Sequence, residues 1–177
     1  MSLQKKFVWI DLEMTGLDIH KDVILEIAVV VTDQNLNLIA TGPNLIINQK
    51  IQEGMLDLVK QMHTESGLLS LVAESTMTVL AAEQQILDFL AQHGSEGQMP
   101  LCGNSIWQDK FFLMTFMPKL LNFLHYRIID VSTIKELVTG WYGVPEFKKT
   151  KSHRALDDIK ESIAELHYYR QHYFINL

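Results

Sequence analysis

The sequence predicts one α/β domain over residues 1–177, built on a mixed five-stranded β-sheet flanked by α-helices. Three β-type runs come first, and runs with helical periodicity then alternate with two further β-type runs. The length of 177 residues is typical of one domain and suffices to bury a large core. No internal repeat, linker or low-complexity tract divides the sequence.

The first third of the chain contains three predicted strands. Residues 7–12 form a short β-type run, and residues 23–32 and 38–48 have the pattern of two longer strands. The residues of the turn between the longer strands are Asp33, Asn35 and Asn37. We therefore expect a hairpin beside the first strand.

Helical spacing follows the hairpin. The apolar residues that carry it are Val79, Ala82, Ile86, Phe89 and Leu90. We expect this helix to end by Gly94, and residues 100–103 to form a brief buried strand. Ser105 with Gln108 has the pattern of a capping box, which predicts the start of the next helix, and Pro118 should break or kink it.

The C-terminal third contains the last predicted strand, residues 126–130, which leads into a helix through Trp141. Gly143 and Pro145 then open a basic loop. The lysines of this loop are Lys148, Lys149 and Lys151. A final helix is predicted over residues 154–172. Its apolar stripe consists of Leu156, Ile159, Ile163 and Leu166.

Composition and charge exclude several classes of protein. With 47% hydrophobic and 20% charged residues, the sequence is ordinary for a folded protein and unlike disordered or collagen-like chains. Fifteen basic against twenty-one acidic residues give a net charge of −6. That sign disfavours a protein that grips long nucleic acid through many phosphates.

The single cysteine, Cys102, rules out an intrachain disulfide and a thiolate zinc site, and it fits a reducing compartment. No apolar stretch approaches the roughly 20 residues of a membrane span. The apolar run of residues 7–10 ends at Asp11, so the N-terminus does not resemble a secretory signal. We therefore expect a cytoplasmic protein with no membrane partner.

Asp11 and Glu13 lie two residues apart on the first predicted strand, so both carboxylates face the same side and can share a cation. Like charges at the end of a buried strand are costly without a counter-ion. The alternative is a strand end that emerges into solvent. Glu26 also interrupts an apolar run, either as a partner of the acid site or pointing outward.

Asp109 shares a helical face with the apolar residues Phe112, Leu113 and Phe116. A carboxylate on an apolar stripe is rarely buried alone, so a cation or a hydrogen-bond donor should meet it. The alternative is capping of its own helix, because a negative charge is favourable in the first turns.

His153 precedes two aspartates at the start of the last predicted helix. Relative to the apolar stripe, Asp158 lies near the border of the core, whereas Asp157 points to the back beside Arg154 and Glu161. Asp158 is therefore the predicted inward carboxylate, and His153 can turn its ring toward it. A structural or surface role is the alternative for a histidine beside a helix start.

Four segments resemble, in order, the motifs of the oligoribonuclease family, a branch of the exonuclease superfamily with four acids and one histidine. They are IDLEMTGL at 10–17, CGNSI at 102–106 with Asp109, DVST at 130–133 and HRALDD at 153–158. One Asp-x-Glu pair says little, but the whole set is specific. The resemblance implies an RNase H-like fold. It also implies a homodimeric, metal-dependent 3′-to-5′ exoribonuclease that cuts short oligoribonucleotides, dinucleotides included, to 5′ mononucleotides.

The resemblance assigns both the metal ligands and the catalytic acids to Asp11, Glu13, Asp109 and Asp158, and the general base to His153. Two divalent cations, Mg²⁺ or Mn²⁺, suit these hard carboxylate oxygens and can serve the attacking and leaving oxygens of phosphodiester hydrolysis together. In this interpretation Asp11 bridges the two ions, and His153 accepts the proton of water near neutral pH.

The resemblance also implies contacts with short single-stranded RNA. Leu17 would lie against a base, His63 would lie on the substrate side, and Tyr126 would reach the partner's site across the dimer. The residues implied to cover the 5′ phosphate are Ser105, Arg127, Ser132 and Lys135. Turn packing, a helix-end position and helix capping are the alternatives for Leu17, His63 and the serines.

The sequence departs from the family pattern in two places. Leu58 stands where the family usually carries a tryptophan that wedges between bases, so base stacking should be weaker. Thr139 and Gly140 replace two basic residues before Trp141, and the lysines of the basic loop can offset this loss.

Three other functions compete with this interpretation. A sister exonuclease for long DNA or RNA would share the metal centre, but the segment 130–133 favours the oligoribonuclease family. The intact acids and histidine oppose a binding module without catalysis. A flavodoxin-like nucleotide binder would need a Gly-rich phosphate loop, which the sequence lacks. Two divalent cations would cancel four of the six excess negative charges, so the acidity argues only against long nucleic acid, duplexes included.

Overall fold

The computed structural model describes residues 5–50, 55–149 and 153–174, which fold around one five-stranded sheet. The strands are β1 (Lys6–Met14), β2 (Ile24–Asp33), β3 (Leu38–Ile46), β4 (Pro100–Gly103) and β5 (His125–Asp130). Their order across the sheet is β3-β2-β1-β4-β5. β2 runs antiparallel to β1 and β3, whereas β4 runs parallel to β1 and β5, so the sheet is mixed as predicted.

Helices cover both faces of the sheet. They are α1 (Asp57–Glu65), α2 (Leu68–Glu74), α3 (Val79–Ala91), α4 (Ile106–Phe116), α5 (Pro118–Phe123), α6 (Val131–Tyr142) and α7 (Ala155–Tyr173). The break between α4 and α5 falls at Pro118, as predicted. Lys151, one of the predicted loop lysines, lies outside the described residues. Across the described ranges, none of the helices has the length and hydropathy of a transmembrane segment.

β1 lies at the centre of the sheet, between two helical layers. Val8, Ile10 and Leu12 pack in a core with residues of α3, α4 and α5. Trp9 points to the opposite face and packs with residues of α6 and α7. Side chains alternate along a strand, so Asp11 and Glu13 share the face of Trp9. β1 therefore carries both carboxylates beneath the layer that contains α7.

The capping box predicted at Ser105 is not formed. Ser105 has a left-handed φ of 48°, and its side chain makes no capping hydrogen bond to α4. Its backbone N–H donates instead to Asp130 Oδ1 and Ser132 Oγ, each at 3.0 Å. Gln108 Nε2 donates to the carbonyl oxygen of Leu17 at 3.0 Å. Tertiary contacts thus occupy both members of the predicted box.

The buried side of α7 is also displaced from the predicted apolar stripe. Its buried residues are Ala155, Ile159, Ser162, Glu165 and Tyr169. Leu156, Ile163 and Leu166 are only partly buried at the edge of the same core. Ser162 and Glu165 face inward because the side-chain amide of Asn104 donates to both, at 2.8 and 3.0 Å. Polar contacts therefore decide which side of this helix is buried.

Candidate active site

Three carboxylates from two elements converge at the end of β1. Asp11 and Glu13 come from the strand, and Asp158 comes from the first turn of α7. One oxygen from each lies within 4.8 Å of the others, the spacing of groups that can share a metal ion. Glu13 is only 7% exposed. Asp157, in contrast, is exposed and pairs with Lys160 at 2.8 Å, so Asp158 is the inward aspartate, as predicted.

Asp109 reaches the same place from the opposite helical layer. It lies in the first turn of α4 and is 6% exposed, beside the buried residues Phe112 and Leu113. Its Oδ1 accepts a hydrogen bond from the Leu12 backbone N–H at 3.0 Å. The expected donor for this buried carboxylate is therefore an amide of β1, which holds Asp109 next to Asp11 across the end of the sheet.

Burial raises the pKa of all four carboxyl groups, and repulsion from the other acids of the cluster adds to it for Asp11 and Glu13. For Asp11 the pKa lies well above its ordinary value, first because of burial and then because of Asp109, Glu13 and Asp158. Burial is also the largest cause for the other three groups, which have a pKa of about 8 for Glu13, about 7 for Asp109 and about 6 for Asp158.

This donor set fits a divalent cation. Four hard carboxylate oxygens without a thiolate match the preferences of Mg²⁺ and Mn²⁺. A cation would also relieve the repulsion that raises these pKa values. Asp109 lies outside the group of three but is close enough to Asp11 for its charge to raise the pKa of Asp11.

His153 is held at the start of α7 in a left-handed conformation, with φ of 53°. Its side chain is half-buried, and its positive charge when protonated lowers the pKa of Asp158. The imidazole is thus electrostatically coupled to the acid cluster. Arg154, the next residue, is the N-cap position of α7.

His63 lies beneath the acid cluster rather than on its surface. The ring is completely buried, and its Nε2 donates to the carbonyl oxygen of Met14 at 2.8 Å. Its Nδ1 lies 3.9 Å from Glu13 Oε2 and has no hydrogen-bond partner among the described residues. A substrate contact by this residue would therefore have to involve Nδ1, at the floor of the site.

The predicted phosphate-side serines form a hydrogen-bonded group. The hydroxyls of Ser105 and Ser132 lie 3.2 Å apart, and Ser132 donates to Asn104 Oδ1 at 3.0 Å. Asp130 Oδ1 accepts from the backbone of both serines. This group joins the ends of β4 and β5, where α4 and α6 begin.

The other predicted substrate residues lie near the surface. Leu17 and Tyr126 are largely exposed, and the guanidinium of Arg127 lies 5.3 Å from the centre of the Tyr126 ring. Gln108 ties the backbone of Leu17 to α4, the helix of Asp109. Lys135 forms an ion pair with Glu146 at 3.6 Å.

Sequence reasoning missed the partner of Glu26. This carboxylate is completely buried, and both of its oxygens accept hydrogen bonds from the guanidinium of Arg154. Arg154 therefore lies on the inner side of α7, not at its back as predicted. The charge of Glu26 inside an apolar strand was the only signal for this pair.

Solved structures show the fold to which this arrangement belongs. The zinc-bound E. coli ExoI–ssDNA complex superposes with a TM-score of 0.76 at 12% identity, over 97% of this chain and 41% of that one. Exonuclease I from Methylocaldum szegediense superposes with a TM-score of 0.71 at 16% identity, over 96% of this chain and 41% of that one. The chain spans about two fifths of these proteins and has the RNase H-like fold of an exonuclease.

Sequence relatives show the family. An exonuclease family model matches residues 8–166. The mitochondrial oligoribonuclease of Bos taurus is 53% identical over 178 residues, which cover 98% of this chain and 75% of that protein. The oligoribonuclease of Haemophilus influenzae strain PittGG is 51% identical over 98% of both chains. A chain with these matches and this acidic cluster belongs to the oligoribonuclease family of exonucleases.

Proposed function

We propose that this protein is a 3′-to-5′ exoribonuclease that hydrolyses short oligoribonucleotides, dinucleotides included, to 5′ mononucleotides. The observation that carries the proposal is the convergence of four carboxyl groups, those of Glu13 and Asp109 buried and those of Asp11 and Asp158 half-buried, with His153 beside them. Membership of the oligoribonuclease family supports RNA as the substrate.

The proposed cofactors are two divalent cations, Mg²⁺ or Mn²⁺, held by Asp11, Glu13, Asp109 and Asp158. When bound, such a pair stabilises charge on the attacking and leaving oxygens of a phosphodiester. We assign Asp11 to both ions, because it groups with Glu13 and Asp158 and also interacts electrostatically with Asp109.

His153 is the proposed general base. Histidine exchanges protons near neutral pH, and this side chain is half-buried, so it stays accessible to water. Asp158 lies close enough to stabilise the imidazolium that forms when His153 accepts a proton. The positive charge created in this step thus falls beside a carboxylate.

The proposed substrate contacts surround the acids. Leu17 would contact a base of the substrate, and His63 would contact the substrate from the floor of the site. A second set covers the 5′ phosphate and consists of Ser105, Arg127, Ser132 and Lys135. The paired hydroxyls of Ser105 and Ser132 support this assignment, since the Ser105 hydroxyl can donate to a phosphate oxygen and that of Ser132 can do so if it leaves Asn104. The ion pair of Lys135 with Glu146 would have to open for Lys135 to take part.

Cleavage of labelled substrates tests the activity. The purified protein should release 5′ mononucleotides from a ribodinucleotide in Mn²⁺, at a higher kcat/KM than from long single-stranded RNA or DNA. EDTA should abolish the release. A preference for long DNA would instead identify a DNA exonuclease of the same fold, and an absence of any Mn²⁺-dependent release would identify a binding module.

Replacement of His153 tests the proposed base. His153→Ala should lower kcat by about two to four orders of magnitude while Mn²⁺ binding, measured by calorimetry, is largely kept. Lys160→Met on the same helix is the control, because Lys160 is exposed and forms a surface ion pair with Asp157. A kcat within a few-fold of wild type for His153→Ala would remove His153 from the mechanism.

A homodimer is part of the proposal, and the outer face of α4 supports it. Trp107, Phe111 and Met114 are large exposed apolar side chains spaced along one side of this helix. The helix adjoins the edge strand β5, where Tyr126 would reach the partner's site. Light scattering should show a dimer that Trp107→Glu converts to a monomer, whereas Leu80→Glu, at an exposed site on α3, should not.

A cytoplasmic location is the remaining part of the proposal. The names of the mammalian relatives carry the word mitochondrial, so the compartment needs its own test. Cell fractionation should recover the protein with cytoplasmic markers, and recovery with a membrane or organelle fraction would contradict this.

A further inference from the structure

Glu26 and Arg154 form a buried ion pair beside the acid cluster. Glu26 lies directly opposite Glu13 in the β1–β2 register, so both side chains are on the same face of the sheet. Arg154 Nε donates to Glu26 Oε2 at 3.1 Å, and Nη2 donates to Oε1 at 3.1 Å. Glu26 is completely buried, whereas 29% of the Arg154 side chain is exposed. Both carboxylate oxygens are therefore engaged by a planar fork.

This ion pair fixes the backbone next to His153. Arg154 is the residue that immediately follows it and the N-cap of α7. A left-handed φ, as in His153 at 53°, is unfavourable for a residue with a Cβ and persists only where surrounding contacts hold it. The side chain of Arg154, anchored on β2, supplies such a contact one residue away.

A purely electrostatic effect of the Arg154–Glu26 pair on the other acids does not account for its bidentate geometry. Glu26 raises the pKa of Glu13, and Arg154 lowers it, so the two charges oppose each other there. The bidentate fork, in contrast, fixes direction as well as distance. Its specific consequence is the orientation of the chain at the start of α7.

We propose that the Arg154–Glu26 ion pair is a positioning element that holds His153 in its left-handed conformation over the acid cluster. This inference rests on the proposed role of His153 as the base. Arg154 and Glu26 do not act on the substrate, and their effect on the reaction passes through His153. The anchor on β2 thus ties the proposed base to the strand beside the one that carries Asp11 and Glu13.

A double-mutant cycle with His153 tests this. Arg154→Met should lower kcat for a ribodinucleotide by about tenfold or more, with KM and the Mn²⁺ binding constant changed by less than about threefold. In the His153→Ala background the same change should cost less than about threefold further, because the residue being positioned is gone. Glu26→Gln should behave like Arg154→Met.

Two further variants guard against a simple loss of folding. Arg154→Lys keeps the charge and loses the fork, so its kcat should lie between wild type and Arg154→Met, with a smaller loss of thermal stability. Lys160→Met breaks an exposed ion pair on the same helix and should leave kcat and KM unchanged. Thermal unfolding of each variant separates misfolded protein from folded protein with a displaced base.

Several outcomes would overturn the inference. Equal losses from Arg154→Met with and without His153 would mean that the pair acts through the acids or the fold, as would weakened Mn²⁺ binding. Wild-type kcat in folded Arg154→Met and Glu26→Gln would exclude any positioning role. If His153→Ala itself kept its activity, the proposed base would fail first, and that result is distinguishable because it needs no Arg154 variant.

Discussion

Asp109 is the side chain that connects α4 to β1 at the acid cluster. Its Oδ1 binds the Leu12 amide, while its charge raises the pKa of Asp11 from the opposite side of the strand. One carboxyl group thus has a structural and an electrostatic role. These roles can be separated, because a neutral amide retains the acceptor oxygen but not the charge.

Asp109→Asn should therefore keep the fold and lose function. We expect kcat to fall by roughly two orders of magnitude or more and Mn²⁺ affinity to fall by about tenfold, while the thermal midpoint of the metal-free protein stays close to wild type. Calorimetric Mn²⁺ titration and dinucleotide cleavage measure these effects. Asp88→Asn, at an exposed position of α3, is the control. Normal Mn²⁺ affinity in Asp109→Asn would exclude it as a ligand.

Leu58 is the residue at which this chain departs from the family pattern. It is 78% exposed in the first turn of α1, so a larger side chain fits there without repacking the core. Base–aromatic stacking contributes roughly 1–3 kcal/mol per base. Leu58→Trp should therefore lower KM for a ribodinucleotide by about fivefold or more, with little change in kcat. Leu56→Trp, at a 69% exposed position, is the matched control, and an equal KM change in both would contradict a specific base contact.

At the scale of elements, a buried polar network ties α7 to the loops around the site. Glu165 is buried and contacts Lys149 Nζ at 2.6 Å, and it accepts hydrogen bonds from Asn104 and Tyr169 at 3.0 Å each. Asn104 in turn accepts from Ser132. The segment before His153 and the proposed phosphate-side serines therefore share one anchor on α7.

Removal of this anchor should be costly. Glu165→Ala leaves three polar partners without their acceptor, and we expect the free energy of unfolding to fall by roughly 3 kcal/mol. Asp157→Ala on the same helix breaks only an exposed ion pair and should cost less than about 1 kcal/mol. Urea unfolding followed by circular dichroism measures both. Similar losses of unfolding free energy in the two variants would show that the buried network stabilises the fold no more than an exposed ion pair does.

The features that the sequence predicts are those that follow from the residue pattern within a single strand or helix. The five strands, most helices and the acids of the cluster follow from period 2, helical faces and turn residues. The helices α1 and α2 escape prediction, because nine and seven residues give little periodic signal. The Arg154–Glu26 pair joins residues 128 positions apart, and the partners of Ser105 come from β5 and α6, so only the folded chain reveals them.

For the molecule as a whole, much of the excess negative charge is concentrated at the acid cluster. The net charge is −6, and four of the acidic residues meet at the end of the sheet. The two proposed divalent cations would neutralise that charge locally and would leave the rest of the molecule only mildly acidic. A short substrate with few phosphates gains little from a basic surface, so the charge of the chain and the proposed substrate agree.

The same concentration of charge makes the stability of the whole molecule depend on pH when metal is removed. The pKa values of Glu13, Asp109 and Asp158 are raised to about 8, 7 and 6, and that of Asp11 is raised as well. The folded protein therefore retains protons that the unfolded chain releases near its ordinary carboxyl values of 3.8 and 4.5. These groups contribute most stability below about pH 4 and lose it progressively as the pH rises to about 8.

In EDTA, the thermal midpoint should consequently fall between pH 5 and pH 8, and Mn²⁺ or Mg²⁺ should restore it more strongly at pH 8 than at pH 5, because fewer protons need to be displaced there. A cation at 100 times its dissociation constant adds about 2.7 kcal/mol, or roughly 5–10 °C for a chain of this size. Scanning calorimetry measures both effects. Asp11→Asn removes the central charge, so it should flatten the pH dependence and abolish the cation effect. A midpoint in EDTA that rises from pH 5 to pH 8, or a cation effect that survives in Asp11→Asn, would contradict this account of the acid cluster.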